Sequence, residues 1–339
     1  MTPFNTLPHP KNESCKSRRA GFEFELTGVN LQGCAELIAE LFGGKPSYNH
    51  SLEAEITDTN AGTFKVELDA HMIKKLASEL EEERATSKGD IINMNKLRAH
   101  ISDWIGNATE KLVPFEIVTP PMSFKQFSKL EELRERLHSA QAKGTKAGFV
   151  NAFGMHINPE IPSDKVDDIR DILRAFLILY PWLKKVMNID LTRRILTYID
   201  PFPVAYVKLM LAKDYAPDWG GFITDYLQHN PTRNRALDLL PLFAHVRPDS
   251  LSPLKDADRK LIKARPAFHY RFPNCEIDNP DWRIARDWNY WVDIESLASD
   301  KKKLTEMASA YLTFMEKPLH RFSDDWVQET TRQFGYAAA

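Results

Sequence analysis

Glu23 and Glu25 stand in the run Phe22-Glu23-Phe24-Glu25-Leu26, where acidic and apolar residues alternate. On a strand, residues two apart share a face, so both carboxylates point one way and the two phenylalanines the other. Phe64-Lys65-Val66-Glu67-Leu68-Asp69 repeats the arrangement with Glu67 and Asp69, and Val113-Pro114-Phe115-Glu116-Ile117-Val118 holds Glu116 as a lone acid in an apolar strand. Taken singly, each fits an ordinary solvent-facing sheet surface as well as a site. His156 lies in Gly154-Met155-His156-Ile157-Asn158, and His269 and Arg271 alternate with aromatics in Phe268-His269-Tyr270-Arg271-Phe272. A hydrogen-bonded core histidine and an arginine paired with a sheet carboxylate are the plain alternatives there. Together the runs share a grammar: acids, histidines and one arginine on strands, each set against an apolar face. If these strands form one sheet, its polar face gathers four or five carboxylates, which need cations, and oxygen-rich donor sets favour Mg²⁺ or Mn²⁺.

The elements that must position these residues follow from periodicity. Leu31, Cys34, Leu37, Ile38, Leu41 and Phe42 recur at helical spacing before Gly43-Gly44, a C-terminal stop. Ala54–Asp58 and Thr63–Asp69 read as a hairpin around Thr59-Asn60-Ala61-Gly62. Residues 71–86 and 91–110 read as helices, Leu112–Val118 as a strand closed by Pro120-Pro121, and Phe124–Ala142 as an amphipathic helix. Phe149–Ile157 reads as a strand, and Ser163 as the cap of a helix whose stripe runs from Val166 to Tyr180. A helix is expected over 236–243, a strand over Ala267–Pro273, and mostly helix from Trp282 to Met315. Short strands and hairpins alternate with helices, with no repeated strand–helix–strand unit and no glycine-rich nucleotide loop, so the expected class is α+β.

Composition removes several function classes. The chain has 339 residues, 45 Lys plus Arg against 47 Asp plus Glu, and a formal net charge of −2. No basic field marks a nucleic-acid partner. Three cysteines, Cys15, Cys34 and Cys275, supply neither a disulfide framework nor a Cys-rich zinc module. The first twenty residues are polar, without the apolar core of a signal peptide, and the most apolar run, Ala175–Leu183, is too short to span a bilayer. The expectation is a cytoplasmic protein with no membrane partner.

Four of the runs also carry a resemblance. Arg19-Ala20-Gly21-Phe22-Glu23-Phe24-Glu25 resembles the opening strand motif of the amidoligase family, a branch of the glutamine synthetase and glutamate–cysteine ligase-like carboxylate–amine ligases. Phe115-Glu116-Ile117-Val118-Thr119-Pro120-Pro121 is similar to its second acidic strand, and Gly154-Met155-His156-Ile157-Asn158 to its Gly-x-His-x-(Asn/Asp) strand. Phe268-His269-Tyr270-Arg271-Phe272-Pro273 is similar to its late Glu-Phe-Arg strand, with His269 where the family usually has Glu. The matches run in family order over residues 18–295.

The resemblance implies a curved, mostly antiparallel sheet with a carboxylate-lined concave face, packed by helices. The implied layout is a lead-in over 1–17, one catalytic domain over 18–320 and a tail over 321–339. It implies ATP-dependent joining of a carboxylate to an amine or ammonia through an acyl phosphate. Metal-ligand positions fall on Glu23, Glu25, Glu116, His156 and His269. Arg271 matches the arginine facing the transferred phosphoryl group, and Arg265 is a further phosphate candidate. Arg233 and Arg235 are candidates for phosphate or substrate carboxylate too, with surface charges at a helix start as the favoured reading, and Glu67 or Asp69 is the candidate base for the incoming ammonium. Implied partners are Mg²⁺ or Mn²⁺, ATP, a small-molecule or peptide carboxylate, and an amine or ammonia, the latter supplied by a glutamine amidotransferase in some family members. Two other classes stay open: a metal-dependent hydrolase on the same carboxylates, and a catalytically silent nucleotide- and metal-binding protein.

Overall fold

In the computed structural model, residues 2–49, 53–68, 115–144, 153–189, 199–255, 259–317 and 323–334 are described. The helices expected over 71–86 and 91–110, and Asp69, lie outside them. Among the described residues the fold is α+β, with nine strands in one antiparallel sheet and nine helices. The strands are β1 Arg19–Leu26, β2 Lys45–Asn49, β3 Glu53–Thr59, β4 Gly62–Leu68, β5 Phe115–Val118, β6 Met122–Ser123, β7 Met155–Pro159, β8 Leu237–Asp238 and β9 His269–Tyr270. Their order is β2-β3-β4-β5-β1-β7-β9-β8, and β6 pairs with β1 off this path. The chain divides into two compact units, one of Gly21–Met155 with Asn274–Trp282, the other of Met1–Ala20, His156–Pro273 and Arg283–Ala339.

The first unit holds the alternating strands. Phe22, Phe24 and Leu26 of β1, Ile117 of β5, Phe64 and Val66 of β4 and Ala54 and Ile56 of β3 are all buried. They share one face because the registers set Phe24 opposite Ile117, Ile117 opposite Val66 and Val66 opposite Ala54. Helices α1 (Leu31–Phe42) and α2 (Phe127–Ser139) accompany that face. Phe42 packs on Phe64 at 4.6 Å between ring centroids, and Phe127 meets Phe22 edge-on at 5.2 Å. Asn30 caps α1 by accepting the Gly33 N–H at 2.8 Å. Gly43 and Gly44 end it at φ 75° and 96°, and a Cβ on Gly44 would collide with the Thr57 carbonyl. Where β1 meets β5, Thr119 closes the ladder: Phe22 N–H donates to its Oγ1 at 2.8 Å, and its own N–H donates to Phe22 O at 2.9 Å. Pro120 and Pro121 follow and supply no further donor.

The second unit centres on α3 (Val166–Val186), which meets α4 (Val204–Leu211), α7 (Ile284–Ser299), α8 (Lys301–Glu316) and α9 (Ser323–Phe334). Helices α5 (Trp219–His229) and α6 (Leu240–Val246) complete the set. Phe176 of α3 touches Tyr270 and Phe272 at 6.0 and 6.1 Å, while Trp291 of α7 reaches Phe268 at 5.2 Å and Tyr270 at 5.3 Å. The aromatics that alternate with His269 and Arg271 therefore serve the core.

Several expectations need correction. Ser163 is not the cap of α3: Lys165 precedes the helix, and the Ser163 hydroxyl donates to Asp168 at 2.5 Å. Residues 236–243 are not one helix but β8 followed by α6. The late strand contracts to His269–Tyr270, and the Trp282–Met315 stretch breaks at Asp300, whose side chain caps α8 by accepting the Lys303 N–H at 3.0 Å. Residues near both ends are tied in. Asn5 O accepts from Trp288 Nε1 at 2.8 Å, and Trp326 of α9 is buried and donates to Ile178 O at 2.9 Å. Arg18 is deeper still. Both Nη atoms reach the Glu295 carboxylate at 2.7 Å, Nε donates to Glu160 O at 2.7 Å, and Nη1 donates to His9 O at 2.9 Å.

Candidate functional site

The registers of the first unit turn the alternating pattern into a row. Glu25 is opposite Glu116, Glu116 opposite Glu67, and Glu67 opposite Glu53, so four acids from β1, β5, β4 and β3 follow one another on the polar face. Directly opposed side chains in an antiparallel pair are roughly 5 Å apart at Cβ, where like charges are unfavourable. Glu23 stands on the same face two residues from Glu25, is buried, and lies opposite Val118. A second row holds the balancing cation at the far edge: Lys65 reaches Glu55 at 2.7 Å and Glu53 at 3.6 Å. The hydrogen bond that Lys65 donates to Glu55 raises the pKa of its ammonium, overcoming the opposing effect of burial, and the charges of Glu55, Glu53 and Glu67 add to the rise. At the other end, Glu25 Oε2 accepts the Gly154 N–H at 2.6 Å, while Glu25 N–H donates to Gly154 O at 3.1 Å. The glycine of the third motif thus meets the second glutamate of the first.

The second unit carries the remaining motif residues. His156 and Asn158 alternate with Ile157 on β7, and Ile157 is opposite Tyr270. His269 of β9 is opposite Asp238 of β8. His156 and His269 are both buried, their rings edge-to-face at 5.0 Å. His269 Nδ1 lies 2.8 Å from Asn158 Oδ1 and 2.6 Å from Arg265 Nη2, which itself donates to Asn158 Oδ1 at 2.8 Å. A guanidinium nitrogen only donates, and one imidazole nitrogen carries either a proton or a lone pair. The Asn158 oxygen calls for a proton on Nδ1 and the Arg265 nitrogen for a lone pair there, so the two contacts favour opposite tautomers of His269.

Arg271 is anchored by the segment before β8. Its N–H donates to Ala236 O at 2.9 Å and its Nη1 to Arg233 O at 2.7 Å. Arg235 corrects the reading of a surface charge at a helix start: it is buried, donates through Nη1 to Pro201 O, and lies 5.6 Å from the Phe202 ring centroid. Arg233 and Arg265 are half-buried. Sequence reasoning also missed Asp238, which has no exposed surface. Burial pushes its carboxyl up to about 6, opposed by the Leu240 N–H and by the charges of Arg271, Arg233 and Arg265. The signal was present: an acid alone in Leu237-Asp238-Leu239-Leu240 is the pattern that singled out Glu116. Of the site residues proposed from sequence, Glu67 stands in the acidic row and Asp69 is outside the described residues.

In the first unit Glu23, Glu25 and Glu116 offer carboxylate oxygens, and in the second His156 and His269 offer imidazole nitrogens, donor types that metal ions take. An antiparallel α+β fold with acids ranked across its strands defines a class of protein whose chemistry is built on a sheet face. The chain belongs to the family described as "Putative amidoligase enzyme", whose model matches residues 16–293. Membership implies a ligase, an enzyme that forms C–N bonds. No curated protein and no solved structure matches the chain. No helix among the described residues is long and apolar enough to cross a membrane.

Proposed function

We propose that this protein is an ATP-dependent carboxylate–amine or carboxylate–ammonia ligase with a glutamine synthetase/glutamate–cysteine ligase-like catalytic fold, acting in the cytoplasm. The observation that carries the reading is the row Glu25–Glu116–Glu67–Glu53. A purely structural sheet face gains nothing from opposed like charges, whereas a polyanionic substrate handled with divalent cations requires such a surface. The hard carboxylate oxygens suit Mg²⁺ or Mn²⁺. Glu23, Glu25, Glu116, His156 and His269 would hold the ions. When bound, they neutralise the phosphate oxygens of ATP and the charge that develops on them.

The chain's own residues supply the rest. Arg271 presents a planar fork of donors to the phosphoryl oxygens, and Arg265, which donates to Asn158 Oδ1, assists on phosphate. The substrate carboxylate attacks the γ-phosphorus, giving an acyl phosphate and ADP. The amine then attacks the acyl carbon and expels phosphate. Glu67, in the acidic row and half-buried, takes the proton that the ammonium must lose to become a nucleophile. The substrates are a small-molecule or peptide carboxylate and an amine or ammonia, the ammonia delivered by a glutamine amidotransferase partner. ADP release from pooled amino acids, amines and short peptides, with and without Mg²⁺, tests this. Release that needs nucleotide, metal and both substrates supports it. Amide cleavage without ATP would replace it with the hydrolase reading, and metal-dependent nucleotide binding with no ADP release from any mixture with the silent binding protein.

A further inference from the structure

Asp171 of α3 is buried, and three cations converge on its carboxylate. Lys301 Nζ, from the first residue of α8, is 2.7 Å from Oδ2. Arg170 Nε is 3.3 Å and Arg174 Nη1 3.5 Å from Oδ1. Among the described residues the other acid in ion-pair contact here is Asp167, 2.7 Å from Arg170 Nη1, with a side chain 68% exposed. Three positive charges therefore meet two negative ones, and one of those two stands largely in water.

The imbalance falls on Arg174. It is 9% exposed, and among the described residues its one polar contact is the 3.5 Å approach to Asp171, longer than the usual N–H···O range of about 2.7–3.2 Å. Its Nε is buried without a hydrogen-bond partner. Burial draws its pKa down, with Asp171 opposing and the Arg170 charge adding to the fall. A guanidinium is a fork of donors that does not give up its proton in a protein, so unmet donors of a buried one are costly. If α3 needed only packing at this position, an uncharged side chain would serve it better. The start of α8 carries a second sign of a missing anion. Its first three residues are Lys301, Lys302 and Lys303, with no acid in the first turn, at the helix end whose own partial charge is positive.

We propose that the Arg174–Lys301 side of this cluster, where α3 meets α8, binds a small oxyanion of the phosphate type. The ion accepts from Arg174 Nε and from the Lys301 ammonium, which has N–H groups beyond the one it directs at Asp171. The Lys301 side chain is 59% exposed and is the way in from solvent. A tetrahedral ion suits donors on two separate helices, because its oxygens point in several directions, where a planar carboxylate presents both of its oxygens along one edge. None of the residues of the ligase reading takes part, so the proposal stands apart from that reading.

Inorganic phosphate is the probe, compared with chloride at equal ionic strength. Chelator is present throughout, which keeps metal-dependent binding out of the comparison. The full chain is read by thermal unfolding and by calorimetry. Wild type should melt on the order of 2 °C higher with phosphate at tenfold its Kd. Arg174→Gln and Lys301→Gln should each weaken phosphate binding on the order of 10–100-fold, the loss of a hydrogen bond to a charged group. Lys302→Gln, on a side chain 87% exposed and 4.0 Å from Glu306, should leave it unchanged. A wild type with no response beyond chloride, a response that Arg174→Gln keeps, or an equal loss in Lys302→Gln would each overturn the proposal. Acetate acting as well as phosphate would overturn the assignment to a tetrahedral ion. Should Arg174→Gln fail to fold, Lys301→Gln, on its mostly exposed side chain, is read in its place.

Discussion

Replacing Glu116 by Gln should stabilise the protein in the absence of metal and weaken its response to metal. Glu116 has Glu25 opposite on one side and Glu67 on the other. At roughly 5 Å, two like charges repel by about 3 kcal/mol at an effective dielectric of 20 and by under about 1 kcal/mol in bulk water. Glu116 is half-buried, so about 1 kcal/mol per neighbour is a reasonable middle value, and neutralising it should add about 2 kcal/mol of metal-free stability. Mg²⁺ at a hundredfold excess over its Kd stabilises a folded protein by about 2.7 kcal/mol, and a tenfold weaker site reduces that to about 1.4 kcal/mol. Urea unfolding in chelator and in excess Mg²⁺ reads both quantities. Glu55→Gln is the control on the same sheet face. It breaks the pair with Lys65 at 2.7 Å and should cost up to about 1 kcal/mol with or without metal, as partly exposed ion pairs do. A Glu116→Gln protein that is less stable than wild type in chelator, or that keeps the full Mg²⁺ response, refutes the reasoning.

Arg18→Met should cost about 3–5 kcal/mol in urea unfolding, because it strands the Glu295 carboxylate in a buried position; Arg18→Met with Glu295→Gln should recover a good part of that, and additive losses would show that the pair is not coupled. Gly44→Ala should cost about 1–3 kcal/mol, since φ is 96° and the Cβ meets the Thr57 carbonyl; an unchanged midpoint would refute it. Asp293 is raised from 3.8 to about 6 by burial, with Lys303 pulling the other way. An acid with a raised folded pKa binds its proton more tightly when folded, so its favourable contribution is full below about pH 4 and lost as pH rises through about 6. Asp293→Asn should therefore be more stable than wild type by about 1–2 kcal/mol at pH 7, after allowance for partial exposure, with the gap closing towards pH 4; a gap that widens on acidification would contradict it.

Legibility in the sequence followed the range of the physics. The period-two runs of β1, β4 and β5 state which side chains share a face, and the structure adds the register that ranks Glu25, Glu116 and Glu67 in one row. The hairpin turn at Thr59–Gly62 was equally local. β2 was missed because Lys45–Asn49 is polar, holds Pro46 and lies mostly exposed at the sheet edge, where burial leaves no pattern. β8 was missed because Ala236–Leu240, with four apolar residues out of five, passes for a turn of helix, and with it went Asp238. The burial of Arg18 and Arg235 was unreadable in principle. Their partners, Glu295 and the Pro201 carbonyl, lie 277 and 34 residues away, and no local propensity encodes that distance.

The Arg18 fork also has a place in time. A ribosome adds roughly 5–20 residues per second, and 277 residues separate Arg18 from Glu295. For about 14–55 s after Arg18 is made, the carboxylate that will receive it does not yet exist. The segment around Arg18 must wait through the making of those residues before α7 arrives to take it. Anything that binds or cuts that segment on the nascent chain has the interval in which to act, and loses it when Glu295 is in place.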